Sequence, residues 1–137
     1  MWLDTHCHLD APEFLADIES IVERAKEAGV LGILLPAVRA QDFDLVKEIT
    51  HRFKKDIPYL VYTLGIHPLY TDRAVEEDLV TLEKAVTESL SDPCFVGIGE
   101  IGLDYFVAEL DPHRQAFFFK DRKSTRLNSS HSSVSRM

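Results

Sequence analysis

Cysteine, long apolar runs and targeting signals are scarce or missing in this chain of 137 residues. Its two cysteines are too few for the disulfide framework of a small secreted domain. No apolar run approaches the roughly 20 residues needed to cross a membrane. The N-terminus also lacks a basic segment followed by an apolar one, the pattern of a secretory signal. We therefore expect a cytoplasmic protein with no membrane partner.

Basic residues are also in the minority. The chain has 15 Lys and Arg against 23 Asp and Glu, which gives a net charge of −8. Such a balance offers no broad basic face for gripping a phosphate backbone. If the substrate is a nucleic acid, bound metal must supply much of the positive charge locally. The apolar content of 45% and the charged content of 28% are those of an ordinary globular domain.

Residues 121–137 differ in composition from everything before them. They contain six serines, four basic residues and one acidic residue, with no periodic apolar pattern. Such a segment is typical of a disordered C-terminus, or it is non-native sequence that interrupts a helix as it begins. We favour the non-native interpretation and take residues 1–120 as the domain.

Apolar runs alternate with amphipathic segments throughout residues 1–120. A first strand ends near Asp4, and further strands are predicted at 32–38, 59–65 and 94–100, with helical periodicity between them. This alternation predicts an α/β fold with a parallel sheet and helices outside it. The sheet is either a complete, open doubly wound one or the first four β/α units of a truncated TIM (β/α)8 barrel, which needs about 250 residues.

The positions of the polar residues favour the barrel. Two histidines, His6 and His8, follow the first strand, while His67 and Glu100 lie at or just past the ends of the third and fourth. Barrel active sites are built at the carboxyl ends of strands. No glycine-rich phosphate loop follows the first strand, although an open nucleotide-binding sheet often has one.

His6 and His8 are spaced for a shared ligand. On an extended strand, residues two apart point to the same side, so the two rings converge while Cys7 faces away as a small buried hydrophobe. Two neutral imidazoles directed at one point suit a divalent ion of the zinc type. Glu100 follows Gly97-Ile98-Gly99, which lets other groups approach closely, and its two oxygens can bridge two cations.

The remaining histidines are less informative by themselves. His67 either belongs to a turn or lines the site, and we predict that it contacts substrate. His51 lies among lysines on the outward face of a helix and is predicted to be solvated. No side chain is predicted to act as a protein nucleophile.

Four segments, in order along the chain, resemble signatures of the TatD family of metal-dependent hydrolases, which are amidohydrolase-like barrels. They are Asp4-Thr5-His6-Cys7-His8-Leu9-Asp10, Pro36-Ala37, Gly65-Ile66-His67-Pro68 and Gly99-Glu100-Ile101-Gly102-Leu103-Asp104-Tyr105. The resemblance covers residues 1–120. It implies a barrel with two divalent ions (Mg²⁺, Mn²⁺ or Zn²⁺) that hydrolyses phosphodiester bonds, typically of DNA, with a metal-activated water. His6 and His8 would hold one metal and Glu100 would bridge both.

The chain departs from the family in one respect. TatD-like barrels take two further histidines from strands five and six and an aspartate from strand eight, and no counterparts exist here. We therefore expect the N-terminal half of a deoxyribonuclease-like enzyme that is inactive alone. Two alternatives are an amidohydrolase-like hydrolase of another ester or amide, and a small α/β protein that binds a metal or a partner without catalysis.

Overall fold

The computed structural model describes residues 1–120. The predicted tail, residues 121–137, lies outside the described residues. The division of the chain at residue 120 therefore stays a prediction.

Four parallel strands form one sheet in the order in which they occur along the chain. They are β1 (Trp2–Asp4), β2 (Val30–Pro36), β3 (Tyr59–Leu64) and β4 (Phe95–Ile98). A doubly wound sheet reverses its strand order at a switch point, and this sheet has no reversal. The sequential order is that of consecutive barrel strands, so the predicted four β/α units are confirmed.

Helices follow the strands, as the alternating pattern predicts. They are α1 (Pro12–Leu15), α2 (Ile18–Glu27), α3 (Phe43–Phe53) and α4 (Glu76–Ser89), and residues 112–120 are also helical. Short 3-10 turns at Ala40–Asp42 and Pro68–Tyr70 connect strand ends to helices. Within residues 1–120, no helix has both the length and the apolarity to cross a bilayer.

The core lies between the sheet and its helices. Its fully buried side chains come from β2, β3, α3 and α4, and include Leu35, Leu60, Tyr62, Val46 and Leu82. Burying one such side chain contributes about 1.5–3 kcal/mol. This core fixes the position of the sheet, and the polar residues follow the ends of its strands.

Three strands end earlier than the sequence pattern predicts: β2 stops at Pro36, β3 at Leu64 and β4 at Ile98. β1 stops at Asp4, as predicted, so His6 and His8 lie in a loop beyond it. The physical reason at β4 is its backbone, because Gly97 and Glu100 both have positive φ, at 146° and 49°. Such conformations interrupt a regular strand ladder.

The ends of β3 and β4 approach each other closely. A Cβ placed on Gly65 would lie 1.5 Å from the carbonyl oxygen of Gly99, and a Cβ on Gly99 would lie 2.5 Å from Oγ1 of Thr63. Only glycine fits at either position. The contact brings His67, two residues after Gly65, close to Glu100, directly after Gly99.

Candidate metal centre

Backbone contacts fix the turn that carries His6 and His8. The amide of His6 donates to Oδ1 of Asp4 at 3.0 Å, and the amide of Cys7 donates to the carbonyl of Leu34 in β2 at 3.0 Å. Cys7 is half-buried against the core, as predicted, and burial together with Asp4 and Asp10 raises the pKa of its thiol. The raised pKa favours the protonated thiol, and Cys7 is not among the residues whose ligand atoms converge with those of His6 and His8.

His6, His8 and Glu100 bring their ligand atoms to one point. Nε2 of His6 lies 3.2 Å from Nε2 of His8 and 3.4 Å from Oε1 of Glu100, and the three ligand atoms lie within 4.8 Å of one another. Ligands placed about 2.1 Å from a tetrahedral metal are about 3.4 Å apart. Two of the separations are close to this value, so the three side chains are placed to share a divalent ion, although a loop rather than a strand makes the rings converge.

Glu100 occupies a strained backbone position. Its φ of 49° makes it the single non-glycine residue with positive φ in residues 1–120. The left-handed region costs an L-residue about 1–2 kcal/mol, and such outliers persist where the surroundings require them, often at functional sites. The strain directs the half-buried carboxylate towards the histidines.

His67 meets the same carboxylate from the other side. Its Nε2 lies 3.5 Å from Oε2 of Glu100, and its Nδ1 accepts a hydrogen bond from the amide of Leu69 at 3.1 Å. An imidazole whose Nδ1 accepts must carry its proton on Nε2. His67 therefore presents a hydrogen-bond donor to the site instead of a lone pair.

The chain matches one known protein family over most of its length. The sequence model of the family described as TatD related DNase matches residues 3–123, most of the chain. The chain belongs to the TatD family.

Several TatD relatives are similar in sequence. YjjV of Escherichia coli K12, an uncharacterized metal-dependent hydrolase, is 32% identical over 88% of this chain and 44% of its own length. The human deoxyribonuclease TATDN3 is 30% identical over 75% of this chain and 38% of its own length. The 3'-5' ssDNA/RNA exonuclease TatD of Erwinia tasmaniensis is 31% identical, with 85% and 42% covered. The chain thus spans less than half of each relative.

The crystal structure of YjjV supports the fold assignment. It matches with a TM-score of 0.77 and 31% identity, over 90% of this chain and 46% of that protein. The coverage agrees with the predicted N-terminal half of a TatD barrel.

Two residues of this TatD chain escaped the sequence analysis. Asp10 is 8% exposed, its Oδ1 accepts no hydrogen bond within residues 1–120, and Nδ1 of His8 lies 3.9 Å from it. Burial raises the pKa of the Asp10 carboxyl. Arg39 lines the same cavity of about 780 Å³ as the histidines and Glu100. Both residues come close to the site only when the chain folds, so their spacing in the sequence does not reveal them, although Asp10 lies inside the first TatD signature.

His51 is exposed on α3, as predicted, and it also takes part in a hydrogen-bonded network. Its Nε2 lies 2.8 Å from Oδ2 of Asp92 at the opposite, amino end of the sheet. Tyr62 donates to the same oxygen at 2.8 Å, and the amide of Cys94 donates to Oδ1 at 2.9 Å. Lys54 donates to the Cys94 sulfur at 3.3 Å. These hydrogen bonds link the side chains around Asp92 and Cys94 into one network.

Proposed function

We propose that this chain supplies the N-terminal metal ligands of a TatD-type hydrolase, with His6, His8 and Glu100 binding a divalent ion. Nε2 of His6 lies 3.2 Å from Nε2 of His8 and 3.4 Å from Oε1 of Glu100, and the convergence of the three ligand atoms within 4.8 Å of one another supports this proposal. Neutral imidazole and carboxylate are the donors that zinc and manganese accept. Two nitrogens at 3.2 Å also repel each other unless a proton or a cation lies between them.

Glu100 is the residue suited to bridge two ions. Its Oε1 faces His6 while its Oε2 faces His67, so the two oxygens point to different sides of the site. We therefore propose that His6 and His8 would hold one ion (Mg²⁺, Mn²⁺ or Zn²⁺) and that Glu100 would help to hold both that ion and a second one. Bound divalent ions activate water at neutral pH and stabilise negative charge on phosphate oxygens.

The substrate class follows from the donors and from the relatives. Relatives are named as deoxyribonucleases and as an ssDNA/RNA exonuclease, and we propose a phosphodiester of nucleic acid as the substrate. The Nε2 proton of His67 is suited to donate to a non-bridging phosphate oxygen, which places the phosphate beside Glu100. His67 would thereby bind and orient substrate without acting as a nucleophile.

Metal binding is the direct test of the ligand set. Titration calorimetry with Mn²⁺ and Zn²⁺ should give binding to the wild-type chain, and His6→Ala and Glu100→Gln should each weaken it by tenfold or more. His113→Ala is the control, because His113 is an exposed histidine that belongs to neither group of converging ligand atoms in residues 1–120. Equal affinities in wild type and His6→Ala would contradict the proposal.

Turnover is expected to be absent from residues 1–137 alone, since the chain spans less than half of its relatives. An assay on single-stranded DNA with each metal tests this expectation. Metal-dependent cleavage that disappears in both His6→Ala and Glu100→Gln would show that this chain forms a working centre without further ligands.

A further inference from the structure

Arg39 is the one Lys or Arg among the described residues that line the metal-site cavity. It lies three residues past β2 and caps the 3-10 turn at Ala40–Asp42. The other charged residues of the lining are Asp10, Glu13, Asp42 and Glu100. Among the described lining residues, Arg39 is therefore the side chain that offers a permanent positive charge to a polyanionic strand entering this cavity.

The guanidinium of Arg39 is held in a fixed orientation. Its Nε donates to Oδ2 of Asp42 and its Nη2 donates to Oδ1, both at 2.8 Å, and its Cζ lies 5.2 Å from the ring centroid of Tyr70. Two of its five N–H donors are used in this fork. The remaining three have no acceptor within residues 1–120, so a planar cation with free donors is ready for an anion.

Tyr70 connects this cation to the metal centre. Its ring centroid is 6.3 Å from that of His67, whose Nε2 faces Glu100 at 3.5 Å. Arg39 and His67 thus contact the same tyrosine ring, and both line the cavity that contains the metal ligands. Contacts spread along one cavity suit two phosphates of one strand, one at the metal ligands and one at the guanidinium.

We propose that Arg39, oriented by Asp42 and Tyr70, forms a subsite for a second phosphate of a nucleic-acid strand whose scissile phosphate lies at the metal centre. The subsite rests on the proposed function. It adds a preference for substrates with more than one phosphate. Arginine recognises phosphate by paired hydrogen bonds in addition to charge.

The test is binding of labelled oligothymidylate in Mn²⁺, measured by fluorescence anisotropy over a range of salt concentrations. Arg39→Gln should weaken binding about tenfold, the cost of one hydrogen-bonded charge contact. It should also reduce the magnitude of the slope of log K against log salt concentration by about 0.7, the value expected for one phosphate contact to a single strand. Thymidine monophosphate, with one phosphate, should compete equally well in both proteins.

Arg52→Gln is the matched control. Arg52 also pairs with a carboxylate, Glu19, and its Cζ lies 4.9 Å from the Phe53 ring, but it is remote from the cavity. This variant should keep the wild-type affinity and salt slope. The double variant Arg39→Gln/Asp42→Asn repeats the test without leaving the Asp42 carboxylate unpaired, in case the single variant folds poorly.

Two results would overturn the subsite while leaving the metal centre intact. One is equal oligonucleotide affinity and salt slope in wild type and both Arg39 variants. The other is wild-type protein that binds Mn²⁺ but no oligothymidylate. If calorimetry shows that the wild-type chain does not bind Mn²⁺, this result would instead refute the proposed function.

Discussion

Because Glu100 has a positive φ, we predict that the Glu100→Gly variant has a larger free energy of unfolding than the Glu100→Ala variant. Both Glu100→Gly and Glu100→Ala remove the carboxylate, but only alanine keeps a Cβ at φ 49°. The left-handed region costs that Cβ about 1–2 kcal/mol, and the larger unfolded-state entropy of glycine offsets about 0.4–1 kcal/mol. In EDTA, the glycine variant should therefore be more stable by about 1 kcal/mol.

Thermal or urea unfolding measures this difference. About 1 kcal/mol corresponds to a Tm difference of about 3–5 °C in a domain of this size. Metal at a hundredfold excess over its Kd should stabilise the wild type by about 2.7 kcal/mol. Neither variant should gain this stabilisation, because both lack the carboxylate ligand.

Glu88 supplies the matched pair of control variants. It lies near the end of α4 with an exposed side chain that contacts Lys84 at 3.9 Å. In a helix, alanine is favoured over glycine by about 1 kcal/mol, so Glu88→Ala should be more stable than Glu88→Gly. An alanine variant at position 100 that equals or exceeds the glycine variant in EDTA would refute the strained conformation.

Three further predictions concern packing, ligand orientation and pH. Gly65→Ala should lower the Tm and weaken Mn²⁺ binding together, because its Cβ would collide with the carbonyl of Gly99; an unchanged Tm would contradict this close contact. Asp10→Asn should weaken metal binding by about tenfold in calorimetry, because a carboxylate beside Nδ1 of His8 fixes the ring of a ligand. Burial acts to raise the pKa of Asp92, but hydrogen bonds from Cys94, Tyr62 and His51 lower it below 3.8. Its contribution to stability is therefore present above pH 3.8 and lost as pH falls through the lower folded pKa, so urea unfolding of wild type and Asp92→Asn should converge in acid.

The sequence pattern predicts β2 and β3 well because each contains a buried, apolar run of its own. Leu35 and Leu60 are fully buried where the periodicity places strands. His6 and His8 were identifiable because they are neighbours in sequence, and Glu100 because it ends a strand. Arg39 and Asp10 could not be assigned in the same way, since their roles depend on contacts with Tyr70 and His8 that form only in the folded chain.

Backbone detail was equally hidden from sequence reasoning. The pattern placed Glu100 within a strand, whereas its positive φ ends the strand and turns the carboxylate towards His6. The proton position on His67 follows from the amide of Leu69, a contact made by a 3-10 turn with no periodic signal. Both features arise from local backbone geometry just beyond the ends of strands, where apolar periodicity gives no information.

The outer strands of the sheet have a consequence for behaviour in solution. Within residues 1–120, β1 pairs only with β2 and β4 only with β3, and Trp2, Leu3 and Val96 are mostly exposed on these strands. Unpaired strand edges are templates for association, which a net charge of −8 opposes by repulsion. Salt reduces the range of that repulsion, the Debye length, from about 10 Å at 0.1 M to about 3 Å at 1 M. High salt should therefore lower the solubility of this chain.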